Sequence, residues 1–174
     1  MAVTNNTNFT QVAGTTSFGN LDAGYKFTVN NSTYITIVTK TAGCNASTVR
    51  IVSGTTVIGT ATFSGSTATF SGSGVSITSG GTYYALMDNG TTLSSEYSNV
   101  SAHLPSNNTD INFPLTGNAV YQAPHSATIS ASLSIGGNGL GIVSITTDNP
   151  PVPTTNYLKG RKRSRVDFTG VSLG

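Results

Sequence analysis

Charged side chains are what this sequence has least of: Asp, Glu, Lys and Arg together make up 8% of its 174 residues, about a third of the share usual in a soluble domain. General acid–base catalysis needs a titratable group held beside a partner that tunes it. So sparse a set points away from an enzyme. Tryptophan is absent, which removes the largest apolar face for stacking on sugar rings. Cys44 is the single cysteine, so neither an internal disulfide nor a thiolate metal site is available. No apolar run approaches the roughly 20 residues that span a bilayer. The start, Met1-Ala2-Val3-Thr4, lacks the basic segment and apolar stretch of a secretory signal. A protein made in a cytoplasm without export is therefore expected.

Ser, Thr, Asn and Gly fill the space that charge leaves, and Val, Ile, Thr, Tyr and Phe outnumber the strong helix formers. That balance predicts an all-β fold. The stretch Val49 to Asp88 shows why: short β-branched and aromatic runs are cut at close intervals by Ser-Gly, Gly-Thr and Gly-Gly. Glycine-bounded strands in such succession read as a meander of hairpins. The expected architecture is an antiparallel β-sandwich, jelly-roll or Ig-like, with extended arms at both ends. Residues 1–24 form an N-terminal arm or edge strand, 25–147 the sandwich, and 148–174 a Pro-rich linker and basic arm.

Along the chain, Tyr25–Val29 is the first clear strand, with Tyr25, Phe27 and Val29 on one face. In the strand from Tyr34 to Thr39, Ile35 and Ile37 share one face, and Tyr34 and Val38 the other. Thr48–Ser53 and Thr56–Phe63 make a hairpin around Gly54-Thr55. Val57, Ala61 and Phe63 lie on one face of its second strand, where Gly59 marks a bulge or close packing. A hairpin at Ser64-Gly65-Ser66 brings Ala68 and Phe70 alongside, Val75 and Ile77 alternate, and Tyr83–Met87 reads as buried on both faces. Asp88-Asn89-Gly90 is a turn. Ser94–Pro124 reads as loops with short strands. Ser126–Ile135 alternates cleanly as a half-buried strand, turned at Gly136-Gly137-Asn138-Gly139 and partnered by Leu140–Thr146.

After Thr147 the composition changes. Asp148-Asn149-Pro150-Pro151-Val152-Pro153 is a stiff linker, followed by a basic cluster of Lys159, Arg161, Lys162, Arg163 and Arg165 and an apolar tail containing Val166, Phe168, Val171 and Leu173. Residues 1–158 carry three basic and five acidic side chains, net −2; residues 159–174 carry five and one, net +4. The positive charge is a property of the tail. Such a cluster can neutralise phosphates or dock on an acidic protein surface. The linker before it and the apolar residues after it favour an arm that orders against a neighbouring subunit.

The titratable candidates are His103, His125, Asp22, Asp88, Glu96, Asp110 and Asp148. No nucleophile elbow, zinc motif or phosphate loop joins them, and each reads as a turn cap or an exposed group. No cofactor and no metal is expected, although Asp88-Asn89-Gly90, Asp110-Ile111-Asn112 and Asp148-Asn149 offer oxygen ligands of the kind calcium takes. For a glycan, Tyr97 and Tyr121 are the candidate contacts. Tyr83 and Tyr84 point to opposite faces of one strand. Eight Asn-x-Ser/Thr triplets, such as Asn45-Ala46-Ser47 and Asn89-Gly90-Thr91, read as chance in so Ser- and Thr-rich a chain.

A β-meander this poor in cysteine and this rich in Ser, Thr, Gly and Asn resembles bacteriophage virion proteins of the head-decoration, head-fibre and tail-fibre kinds. The segment Val75-Ser76-Ile77-Thr78-Ser79-Gly80-Gly81-Thr82-Tyr83-Tyr84-Ala85-Leu86-Met87-Asp88 carries most of the likeness, which spans residues 25–147. The resemblance implies a virion component whose partners are copies of itself and other virion proteins. A host-surface glycan is a further partner, nucleic acid a lesser one, and no membrane is involved. The alternative is a carbohydrate-binding adhesion or receptor-binding module.

Overall fold

The structure, a computed structural model, describes residues 3–4, 14–17, 21–98, 109–113, 119–122, 133–134 and 139–148. Every regular element among them is a β-strand: β1 (Val3–Thr4), β2 (Gly14–Ser17), β3 (Asp22–Val29), β4 (Thr33–Lys40), β5 (Thr48–Ser53), β6 (Thr56–Ser64), β7 (Thr67–Thr69) and β8 (Val75–Ile77). They are followed by β9 (Thr82–Asp88), β10 (Ser94–Ser98), β11 (Ile111–Asn112), β12 (Ala119–Gln122), β13 (Leu133–Ser134), β14 (Gly139–Leu140) and β15 (Ile142–Asp148). The fold is all-β and antiparallel, as the composition predicts.

The main sheet runs β1-β15-β4-β7-β6-β5-β9-β3-β12-β13, with β8 also on β4 and β11 also on β3, and it curls into a half-barrel. Strand β6 makes the corner. Its residues from Thr56 to Thr62 pair with β5, while Phe63 and Ser64 pair with β7. Tight turns allow this: Gly54 and Gly65 open their hairpin loops at φ 58° and 60°, a region closed to most side chains and open to glycine. A separate three-stranded sheet has the order β14-β10-β2.

The core lies inside the curl. Tyr25, Phe27 and Val29 of β3, Tyr83, Ala85 and Met87 of β9, and Val49 and Ile51 of β5 face Ile35 and Val38 of β4 and Ile142 and Ile145 of β15. Phe27 stacks on Tyr83, and Phe113 closes on Tyr25 and Phe27 at ring separations of 6.0 and 5.7 Å. The other face of β9 buries Leu86 with Val52, Val57 and Tyr84. Strand β9 is thus buried on both faces, with Tyr83 inside and Tyr84 outside.

Several expected faces are corrected by bulges. Ile51 pairs with Gly59 but Val52 with Val57, so Ile58 is an extra residue on β6. It reverses the alternation: Val57 joins the outer cluster while Ala61 and Phe63 stay with the core. Ile58 itself is left 39% exposed. On β4, Thr146 pairs with Ile37 and Thr147 with Ile35, making Thr36 the extra residue. Ile35 and Val38 therefore both point inward, and Ile37 is separated from Ile35. Val143 is the matching extra residue on β15, which sends both Ile142 and Ile145 inside. A bulge adds one residue to one strand, so every residue beyond it changes face.

The strand that begins at Asp22 starts ahead of the expected Tyr25. The expected strand Ser126–Ile135 lies largely outside the described residues. Its described part, Leu133–Ser134, pairs with β12, and the returning segment pairs elsewhere: β14 with β10, and β15 with β4 and β1. Among the described residues, Leu133–Ser134, Gly139–Leu140 and Ile142–Asp148 are engaged by these pairings and not by the expected local hairpin.

Candidate functional site

Three arrangements of polar side chains stand out. The first is buried. Arg50 lies on the outer side of β5, opposite Thr60 of β6 and Leu86 of β9. Its guanidinium forms an ion pair with the Asp22 carboxylate, with side-chain exposures of 8% and 0%. Burial pushes the Arg50 guanidinium below its ordinary pKa, and the Asp88 carboxylate opposes that shift. Asp22 is therefore neither exposed nor a turn cap, as the sequence reading had it. Charges are buried only when paired, and Arg50 supplies the pairing. Sequence reasoning passed over Arg50. The signal was an arginine inside the apolar run Val49-Arg50-Ile51-Val52, a placement that demands a partner.

The second arrangement fastens loops. Asp110 is also buried rather than exposed: its Oδ2 accepts a 2.9 Å hydrogen bond from the Thr147 hydroxyl, and its carbonyl accepts the backbone N–H of Asn30 and Asn31. Lys40 Nζ donates to the carbonyls of Cys44 and Ala46, each at 2.6 Å, and sits 4.9 Å from the centre of the Phe63 ring. Asp88 caps its turn, Oδ1 accepting the N–H of Gly90. These contacts hold structure together. Among the described residues, no three His, Cys, Asp or Glu side chains converge as metal ligands would.

The third arrangement is open. Strands β7, β4 and β15 lie side by side, and their outer face forms a groove of about 660 Å³. The register sets out its surface in two rows. Thr67, Thr39 and Ser144 face one another across the three strands, and Thr69, Ile37 and Thr146 make the next row. Phe70 and Val143 add apolar walls, and Asp148 stands at one end. Both bulges of the β4–β15 ladder fall here. They turn neighbouring residues, Thr36 with Ile37 and Val143 with Ser144, towards the same groove. Bulges gather next to binding and active sites because they re-aim side chains in this way.

Backbone pairing places the expected glycan contacts Tyr97 and Tyr121 on β10 and β12, which belong to different sheets. Glu96 is on β10 as well. His103, His125 and the arm residues Lys159, Arg161, Lys162, Arg163, Arg165, Val166 and Phe168 lie outside the described residues. The groove was missed by sequence reasoning because its rows come from strands that are distant in the chain. Its only sequence trace is the alternation of hydroxyls in Thr67-Ala68-Thr69 and Ser144-Ile145-Thr146. No helix long and apolar enough to cross a membrane occurs among the described residues. No protein-family model matches the chain, and no curated protein is similar to it in sequence.

Proposed function

We propose that this chain is a non-enzymatic structural component of a virion, a capsid-decoration or fibre subunit that assembles through its sheet edges and its terminal arms. The observation that carries this reading is the open curl of the main sheet. Its order ends at the two-residue strands β1 and β13 rather than closing on itself among the described residues. An open sheet offers edges to which a neighbour's strand adds by main-chain hydrogen bonds. Two further features fit. Exposed strand positions such as Thr56, Thr60, Thr62, Thr67 and Thr69 carry hydroxyls, which solvate an outer surface without ions that salt would screen. The basic arm supplies what the charge-poor domain lacks, a cluster of positive charge for contact with a neighbouring subunit. Closed symmetric oligomers or lattices are the usual setting for such contacts.

The test uses the full chain with Lys159, Arg161, Lys162, Arg163 and Arg165 all changed to Ser. Analytical ultracentrifugation of the parent chain should show a discrete oligomer, and the variant should dissociate towards monomer while keeping its β-type circular dichroism. Assembly unchanged by the five substitutions removes the arm from the reading. A strictly monomeric parent that is also missing from purified particles removes the reading itself.

A further inference from the structure

We infer that the groove across β7, β4 and β15 is a binding site for a neutral oligosaccharide. Its volume of about 660 Å³ lies within the range of small-molecule sites, roughly 300–1,000 Å³, and its lining selects the ligand. The hydroxyls of Thr39, Thr67, Thr69 and Ser144 have no hydrogen-bond partner among the described residues. Each can both donate and accept, which suits sugar hydroxyls. Adjacent strands are spaced about 4.8 Å apart, so the row Thr67–Thr39–Ser144 can engage hydroxyls on opposite sides of one pyranose ring. Ile37, between Thr69 and Thr146 in the second row, and Val143 present apolar surface to the C–H faces of the sugar.

Other ligands fit less well. Among the described residues, no Lys or Arg lines the groove, and the ionisable group there is the carboxylate of Asp148. From those residues phosphates, sulfated sugars and nucleic acid would meet no counter-charge. An extended peptide binds by adding to a strand edge, but both edges of β4 are taken, by β15 on one side and by β7 and β8 on the other. Only side chains remain to recognise a ligand, and most of them are hydroxyls. This inference is independent of the assembly reading, since a subunit can hold a sugar on its face whatever its edges do.

The experiment is a titration of the ¹⁵N-labelled full chain with maltotriose, cellotriose and chitotriose, each to about 10 mM, where a site of ~1 mM affinity is nearly saturated, followed by ¹H–¹⁵N correlation spectra. At least one trisaccharide should move the amides of residues 36–39, 67–72 and 143–148 in a saturable way. The double variant Thr39→Val, Thr67→Val keeps side-chain shape and strand propensity while removing two hydroxyls, and should weaken binding on the order of tenfold. Thr60→Val, on exposed β6 away from the groove, should leave it unchanged. The inference is overturned if none of the three sugars shifts the groove amides, if shifts cluster elsewhere, or if Thr60→Val weakens binding as much as the double variant.

Discussion

Replacing Asp22 by Val is expected to destabilise the chain strongly, and replacing Arg50 by Met as well should restore most of the loss. The pair is almost wholly out of water, with side chains 0% and 8% exposed. Removing one partner takes the facing counter-charge from a buried ion, which costs about 3–5 kcal/mol. For a chain of this size each kcal/mol moves the thermal midpoint by about 2–4 °C, so each single variant should melt about 6–20 °C lower. In the double variant two apolar side chains of similar reach meet where the ions met, and stability should return to within about 1–2 kcal/mol of the parent. Asp88 is half-buried and can hydrate when Arg50 is lost, so the coupling belongs to Asp22. Urea unfolding of the parent, Asp22→Val, Arg50→Met and the double variant, followed by circular dichroism, closes the cycle. Single variants within about 1 kcal/mol of the parent, or a double variant whose loss equals the sum of the singles, would refute the reasoning.

Two further outcomes follow from close packing. A Cβ at position 59 would lie 2.2 Å from Val75 Cγ2, so Gly59→Ala should cost about 1–3 kcal/mol by overpacking. Adding Val75→Ala should make the double variant more stable than the sum of the two singles by about 1–2 kcal/mol, measured by urea unfolding. Cys44 is buried, its Sγ 3.6 Å from Met87 Sδ; a thiol reagent should therefore leave the native chain unlabelled and react along the urea unfolding curve. Fast labelling without denaturant would contradict that placement.

Strands β4 to β9 were legible in the sequence because their signals are local. Alternation marks the strands, and glycines at 54, 65, 80 and 90 mark turns that need positive φ. The bulges at Ile58, Thr36 and Val143 were not legible. An extra residue exists only relative to a partner strand, and for β4 that partner is β15, more than a hundred positions away: Tyr34 pairs with Asp148. The same distance hid both polar sites. Asp22 and Arg50 meet only because β9 lies between β3 and β5, and the groove requires β7, β4 and β15 to be neighbours. Turn chemistry is written in adjacent residues; surface chemistry on a sheet is written in the strand order.

The β4–β15 ladder has a mechanical consequence. Strand β15 ends at Asp148, just ahead of the Pro-rich stretch and basic cluster of the sequence, and it is paired with β4 along nearly its whole length, from Ile142 opposite Lys40 to Asp148 opposite Tyr34. Hydrogen bonds in an antiparallel ladder run perpendicular to the strands. Tension drawn through the arm along the axis of β15 would strain all of them together in shear, instead of parting them one after another as in unzipping. A subunit tethered by this arm would pass load from its neighbour into the β15–β4 end of its own sheet, and the ladder would yield as a unit.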